Sequence, residues 1–514
     1  MKYTLSRILC VAFCCMLYAI KTYAVAPLPG SGLVEPKRPR APFEIVFHDS
    51  KTNVQRVAPK QSAPQINMAP RGLLMLVEFK DVTFDPLNTQ QAFDSLANGE
   101  NYTYNGATGS CQAYFKAQSN GQYVPEFDVV GPLKLPQSTA YYGANDDYGN
   151  DQYVVDLVID ACSAADQIGI DFEQYDNNKD GMVDFVYIIY AGYAESEGGG
   201  ERPSYIWPHN WDLISALYYG YSNKEDYYAN SDTDYKLPSF DGKLVNAYAC
   251  SNELRMATKK RAGIGTICHE FSHVLGLPDY YLTVTDSETN PNQRLTPGAW
   301  SLMGYGNYLN DGNTPPNYSV YDKYFLGWVT PEVLSKTQEL TIPADGESYF
   351  MLTRNEKHVD AGAYRTDTVY YLENRQQEGW DTYLPGHGML IWQVIFDEKD
   401  WFNNCPNDYV PRYRLISAVS ASSPFTEDKQ KPEVPFPGSK NITKYAPFSH
   451  NGLYNIQESN GLITCEFSTT TIPSSVENLP VTLSGQWYNI FGQPIDPKTY
   501  KGIAIQNNKK YLLR

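Results

Sequence analysis

Two of the seven histidines in this 514-residue chain stand four residues apart with a glutamate directly after the first, in His269-Glu270-Phe271-Ser272-His273. On a helix, positions i and i+4 lie one above the other on a single face, so both imidazoles can aim at one metal ion. Glu270 then lies beside that ion. Zinc lowers the pKa of water that it holds to about 7, and a neighbouring carboxylate can take the proton and return it to a leaving amine. Further on, Gly276 tolerates a left-handed backbone and Pro278 stops the helix, so the chain can turn back and offer Asp279 as a third ligand. Glu288 is the alternative carboxylate for that place. Two histidines and one carboxylate leave the fourth position of a tetrahedral zinc open, as catalytic rather than structural zinc requires.

Past this helix comes Trp300-Ser301-Leu302-Met303-Gly304-Tyr305-Gly306. Beneath a zinc helix, Met303 could supply a polarisable floor under the ligands, and the Tyr305 hydroxyl could hydrogen-bond the oxyanion formed during attack. Cys268, directly before His269, points about 100° away from it and reads as a core residue. His209, in Trp207-Pro208-His209, reads as a packed histidine, and His387, in Pro385-Gly386-His387-Gly388, as a turn residue.

A second cation pattern lies at Asp176-Asn177-Asn178-Lys179-Asp180-Gly181-Met182-Val183-Asp184. Asp176, Asn178, Asp180 and Asp184 put oxygen side chains at positions 1, 3, 5 and 9, with glycine at position 6 for the sharp turn, which is the spacing of a calcium loop. Position 12, where such a loop carries a bidentate glutamate, is Tyr187. The pattern is therefore partial, and an ordinary acidic turn is the other reading. Residues 143–151 form a weaker acidic candidate.

The elements that must carry these groups are legible in outline. Leu73 to Phe79 is a short apolar run closed by turn residues, as a buried strand would be. A helix is expected from Gln112 to Ser119, ending at Asn120-Gly121, and another from Val154 to Ile168; Val183 to Tyr190 reads as a strand. Helices alternating with strands predict an α/β (α+β) domain over 71–330, with the metal helix packed against the sheet. After Gly327-Trp328 the helical spacing fades, and strand-like runs at Thr368–Leu372 and Gly388–Ile395 predict a β-rich domain over 331–467.

The ends have a different texture. Lys2 and Arg7 precede an apolar run from Ile8 to Ile20 and small residues near Ala24, the parts of a signal peptide over 1–24, so export is expected. Residues 25–70 are rich in Pro, Lys, Arg and Gln. They read either as a spacer or as a propeptide whose Glu44, His48 or Asp49 could cover the open metal position. The formal charge is −17, and loss of residues 1–24, with three basic and no acidic side chains, would leave −20. That acidity argues against nucleic acid as a partner. The cysteines beyond residue 24, at 111, 162, 250, 268, 405 and 465, form no CxxC pair and allow up to three disulfides of unspecified pairing. Residues 468–475 read as a linker, and Trp487 to Lys510 as a hairpin or small sheet with a basic end.

A HExxHxxGxxH/D motif followed by a methionine turn resembles the metzincin clan, and Ser301-Leu302-Met303-Gly304-Tyr305 resembles the spelling of astacins and serralysins. More of the chain, roughly 70 to 420, is similar to the immune inhibitor A-like secreted metalloproteases: Leu73–Phe79, Tyr114–Gly121, Asp176–Asp184, Ile206-Trp207-Pro208-His209, Gly265–Tyr280 and Glu373-Asn374-Arg375. The resemblance implies a metzincin-like catalytic domain with His269, His273 and Asp279 on zinc, Glu270 as general base and Met303 in the methionine turn. Asp279 stands where most metzincins have a third histidine. Residues 468–514 also resemble the C-terminal sorting segments of Bacteroidetes secreted proteins, which implies contact with secretion machinery and a secreted or cell-surface location. The expectation is a secreted zinc endopeptidase acting on proteins or peptides and made as a zymogen. The alternative is a noncatalytic secreted adhesin with a zinc-stabilised fold.

Overall fold

The computed structural model describes residues 70–469, with breaks at 148, 199–203, 229–234, 284–295, 355–366, 419–433 and 450, and the short strand segments 46–48, 55–57, 487–489, 494–496, 502–506 and 509–513. The expected signal peptide, Glu44, Asp49 and Glu288 lie outside the described residues. So does most of the linker, and of His48 only its place in a strand is described.

A five-stranded sheet carries the first half: β1 (Arg71–Glu78), β2 (Glu126–Lys134), β3 (Val186–Tyr193), β4 (His209–Asp212) and β5 (Ala247–Leu254), in the order β2-β1-β3-β5-β4. Four strands run parallel, and β4 pairs antiparallel on the edge. A parallel sheet is covered on both faces, which is why β1 is apolar almost without interruption. Its alternate side chains divide the labour. Leu73, Met75 and Val77 join one core with the long helix α2 (Val154–Gln167), while Leu74 and Leu76 join a second core with α1 (Cys111–Gln118) and α3 (Ile264–Val274). The His269 helix is thus seated on the sheet as expected.

A second five-stranded sheet follows: β6 (Glu332–Val333), β7 (Phe350–Thr353), β8 (Val369–Arg375), β9 (Gly388–Val394) and β10 (Tyr413–Ile416), paired in chain order, with only β6–β7 parallel. Its Met351, Tyr371 and Trp392 lie in the same apolar core as Phe271 and Met303 of the first half. Among the described residues, the larger compact unit accordingly contains 70–334, 341–442 and 457–463. A core shared by both sheets is the physical reason. The smaller unit comprises 335–340, 443–456 and 464–514; within it, Trp487–Asn489, Pro494–Ile495, Gly502–Gln506 and Lys509–Leu513 form a four-stranded antiparallel sheet. No helix among the described residues is long and apolar enough to cross a membrane.

Candidate metal centre

Helix α3 begins at a pair of close approaches. A Cβ on Gly265 would stand 2.0 Å from the Asn307 carbonyl oxygen, and one on Gly263 would stand 2.2 Å from that of Gly312. Only glycine lets the first turn of the helix lie directly on the 306–312 backbone. At the other end, Gly276 adopts φ 95°, and the Leu277 N–H returns to the Ser272 carbonyl at 3.1 Å, a left-handed stop. The chain then reverses toward the helix and delivers Asp279.

His269, Glu270, His273 and Asp279 are all fully buried. One donor atom from each histidine and from Asp279 lies within 4.8 Å of the others, the only such group of His, Cys, Asp and Glu among the described residues. Asp279 Oδ1 is 3.1 Å from His269 Nε2 and 3.5 Å from His273 Nε2. For metal–donor bonds near 2.05 Å at the tetrahedral angle, donors stand about 3.3 Å apart, so the spacing suits zinc.

The outer ring nitrogens explain the aim. His269 Nδ1 lies 2.9 Å from the Leu302 carbonyl oxygen and His273 Nδ1 2.7 Å from that of Leu277, so each Nδ1–H donates outward and each Nε2 presents a lone pair inward. His269 Nε2 and Asp279 Oδ1 are buried and, though close, are not aligned for a hydrogen bond. Two inward acceptors at that distance are what a cation between them would satisfy. Burial favours a neutral Asp279, but the imidazoles, His273 foremost, outweigh it and hold the carboxyl well below the usual range. Burial also lowers His273, while at His269 the neighbouring Asp279 overcomes the same effect and raises it. Neutral imidazole and ionised carboxylate are the forms a metal binds.

The methionine turn acts partly through its backbone. Leu302 receives the His269 proton, and the Met303 carbonyl takes the Tyr280 N–H at 2.7 Å, while the Met303 side chain is fully buried in the core beside α3. Tyr305 is half-buried. Its ring stacks at 6.0 Å on Tyr281, whose ring in turn lies 6.5 Å from His269, so Tyr281 stands between the candidate oxyanion donor and the histidine. Sequence reasoning missed Tyr281. It also missed Asn404, whose amide binds both the N–H and the carboxylate of Asp279. No local signal could have found a partner 125 positions away.

The other candidates stay apart from this cluster. His209 is buried, with Nδ1 2.6 Å from the Trp207 carbonyl oxygen and Nε2 2.9 Å from the Tyr248 hydroxyl, and His387 pairs at the surface with Glu458. No disulfide joins the six cysteines at the expected positions, and Cys268 is buried. In the Asp176 loop the oxygens are engaged. Asp176 accepts the Asp180 and Gly181 N–H groups and the Lys243 ammonium at 2.7 Å, Asn178 accepts the Asp180 N–H, Asp180 accepts the Met182 N–H, and Asp184 accepts from the Asn177 backbone and side chain. The 143–151 turn likewise closes on itself through Asp146, Asn150 and Tyr221.

The sequence profile of the immune inhibitor A peptidase M6 catalytic domain matches residues 73–329, half of the chain. The chain belongs to the immune inhibitor A peptidase M6 family. Among curated relatives it is similar to immune inhibitor A of Bacillus thuringiensis subsp. alesti, 32% identical over 41% of this chain and 31% of the relative. It is also similar to the pre-pro-metalloprotease PrtV of Vibrio cholerae, 26% identical over 51% of this chain and 28% of the relative, and to a putative secreted metallopeptidase of Arthroderma benhamiae, 21% identical over 43% and 34%. The matches span about a third of the length of these relatives. As a member of the M6 family the chain is expected to hold a metal, and His269, His273 and Asp279 are the described residues able to hold one.

Proposed function

We propose that the chain is an exported zinc-dependent endopeptidase that hydrolyses peptide bonds in proteins. The observation that carries this is the convergence of His269 Nε2, His273 Nε2 and Asp279 Oδ1 on one point beside the buried Glu270. Zinc held there would acidify water and polarise the scissile carbonyl. Glu270, the general base, takes the proton from the attacking water and passes it to the leaving amine. Met303 packs under the ligand helix, and Tyr305 donates its hydroxyl to the oxyanion once substrate has displaced it from the Tyr281 stack. Casein hydrolysis that a chelator abolishes and zinc restores, with one zinc per chain by elemental analysis, is the expected result. Undiminished hydrolysis after chelation would sink it, and zinc without hydrolysis after removal of residues 25–70 would favour the adhesin reading.

The apolar run from Ile8 to Ile20, and relatives named as pre-pro and secreted forms, support a signal peptide at 1–24 and a propeptide at 25–70. The basic end of the C-terminal sheet supports recognition of that segment by secretion machinery. The Asp176, Asn178, Asp180 and Asp184 loop is carried as a calcium site that stabilises the fold and has Lys243 as its internal competitor.

A further inference from the structure

We propose that Asn404 is a positioning residue for the metal, so that the centre is completed by a segment outside the family-matched stretch 73–329. The proposal rests on the reading of Asp279 as third ligand. Asn404 Oδ1 accepts the Asp279 N–H at 2.5 Å, and Asn404 Nδ2 donates to Asp279 Oδ2 at 2.6 Å. Only one orientation of the amide satisfies both, because the backbone needs an acceptor and the carboxylate a donor. With Oδ2 held in this way, Oδ1 alone faces the two imidazoles. Asn404 therefore decides that Asp279 ligates through one oxygen and which oxygen it is.

Asn404 is itself over-determined. It is fully buried, and its backbone sits at φ 53°, a left-handed conformation that asparagine tolerates better than most residues. It follows the short helix α4 (Glu398–Phe402) and opens a clasp that grips the ligand-bearing segment at two further points. Asn407 Nδ2 donates to the Tyr280 carbonyl at 2.8 Å and to the Tyr413 carbonyl at 2.7 Å, while Asp408 takes the Thr283 N–H at 2.8 Å and its hydroxyl at 2.9 Å. The Tyr280 and Tyr413 rings stack at 3.6 Å and 3°. Residues 279, 280 and 283 are thus held by 404, 407 and 408 in the same order. The second sheet reaches the metal centre through this clasp, and its role there is to aim a ligand.

The test uses the full chain. Zinc affinity is measured by competition with a chromogenic chelator, and cobalt(II) is substituted so that its visible absorption reports coordination geometry. Asn404→Gly fits the left-handed backbone and removes both amide contacts; it is expected to bind zinc roughly 10–100-fold more weakly, as loss of an outer partner does elsewhere, and to shift the cobalt spectrum. If that variant does not fold, Asn404→Asp, which keeps the acceptor for the Asp279 N–H, is read at pH 8 in the same two assays. Parental affinity and spectrum in the variant that folds would overturn the proposal alone. A parent that binds no zinc would overturn the metal reading with it. Tyr413→Phe loses the hydroxyl bond to Ser319 in the same clasp without touching Asp279. It should lower the melting temperature and leave the cobalt spectrum in place; an equal spectral change there would mean general loosening and would also overturn the proposal.

Discussion

At the His269 site His269, His273 and Asp279 are each held by an outer atom and turn an inner atom toward one another. At the Asp176 loop the oxygens turn back onto the loop's own N–H groups, and a lysine ammonium already occupies the most buried carboxylate. Both regions carry the residue types a cation wants. They differ in where the remaining valence goes: in the first, His269 Nε2 and Asp279 Oδ1 face each other across 3.1 Å; in the second, a lysine ammonium lies directly on the carboxylate. A metal site is distinguished by donors that protein geometry leaves aimed and unquenched, more than by a count of acidic residues.

The sharpest way to break this comparison is at the chemistry of the first region. Glu270→Gln keeps the three donors but cannot accept a proton, so turnover should fall by roughly 10²–10⁴-fold or more while zinc content stays at one per chain. A variant that still cleaves casein at the parental rate would remove Glu270 from the mechanism. Next in size is Asp279→Ala. Losing a donor should weaken zinc by more than the roughly 10–100-fold that an outer-shell loss costs, and chelator competition would reveal it. Parental zinc affinity in this variant would move the third ligand to another carboxylate.

How much of the difference was legible in the sequence depends on distance along the chain. His269, His273, Gly276 and Asp279 lie within eleven residues, so helical periodicity and one left-handed turn were enough to bring them together. The apolar run of β1 gave the sheet for the same reason. Asn404 was invisible because its contact with Asp279 exists only after the second sheet has joined the first-half core. Lys243 was invisible as well: it is brought to Asp176 by the parallel pairing of Met182–Val183 with Leu244–Val245, a tertiary event that no spacing rule within the loop could reveal. The domain line at 330 was placed where helical periodicity fades, which marks a change of secondary structure; the family match ends at 329, while the apolar core continues past it into the second sheet.

A middle-sized effect probes how rigidly the first region is built. Gly265→Ala places a methyl 2.0 Å from the Asn307 carbonyl, a backbone atom that cannot swing aside. The start of α3 must lift, and overpacking of this kind costs about 1–3 kcal/mol. Chemical denaturation should show the loss, with zinc affinity falling along with it because Leu302, four residues upstream of the 306–312 segment, holds His269. Unchanged stability would show that the helix has slack, and that its aim is set elsewhere.

The smallest effect belongs to the second region. Calcium that bound only the folded state would stabilise it by RT ln(1 + [L]/Kd), about 2.7 kcal/mol at a hundredfold excess over Kd. In the parent the gain should be less, since calcium must first displace Lys243 from Asp176. Lys243→Met removes the competitor and, because it leaves the buried Asp176 carboxylate without its ion partner, should destabilise the protein when calcium is absent. Its melting temperature should then rise more steeply with calcium than the parent's, and adding Asp180→Ala should erase the rise while leaving zinc content and cleavage at low temperature unchanged. Equal calcium responses in the parent, Lys243→Met and the double variant would place any bound calcium elsewhere. No response in any of them would make the loop an acidic turn closed by its own lysine, and the contrast with the His269 helix would be complete.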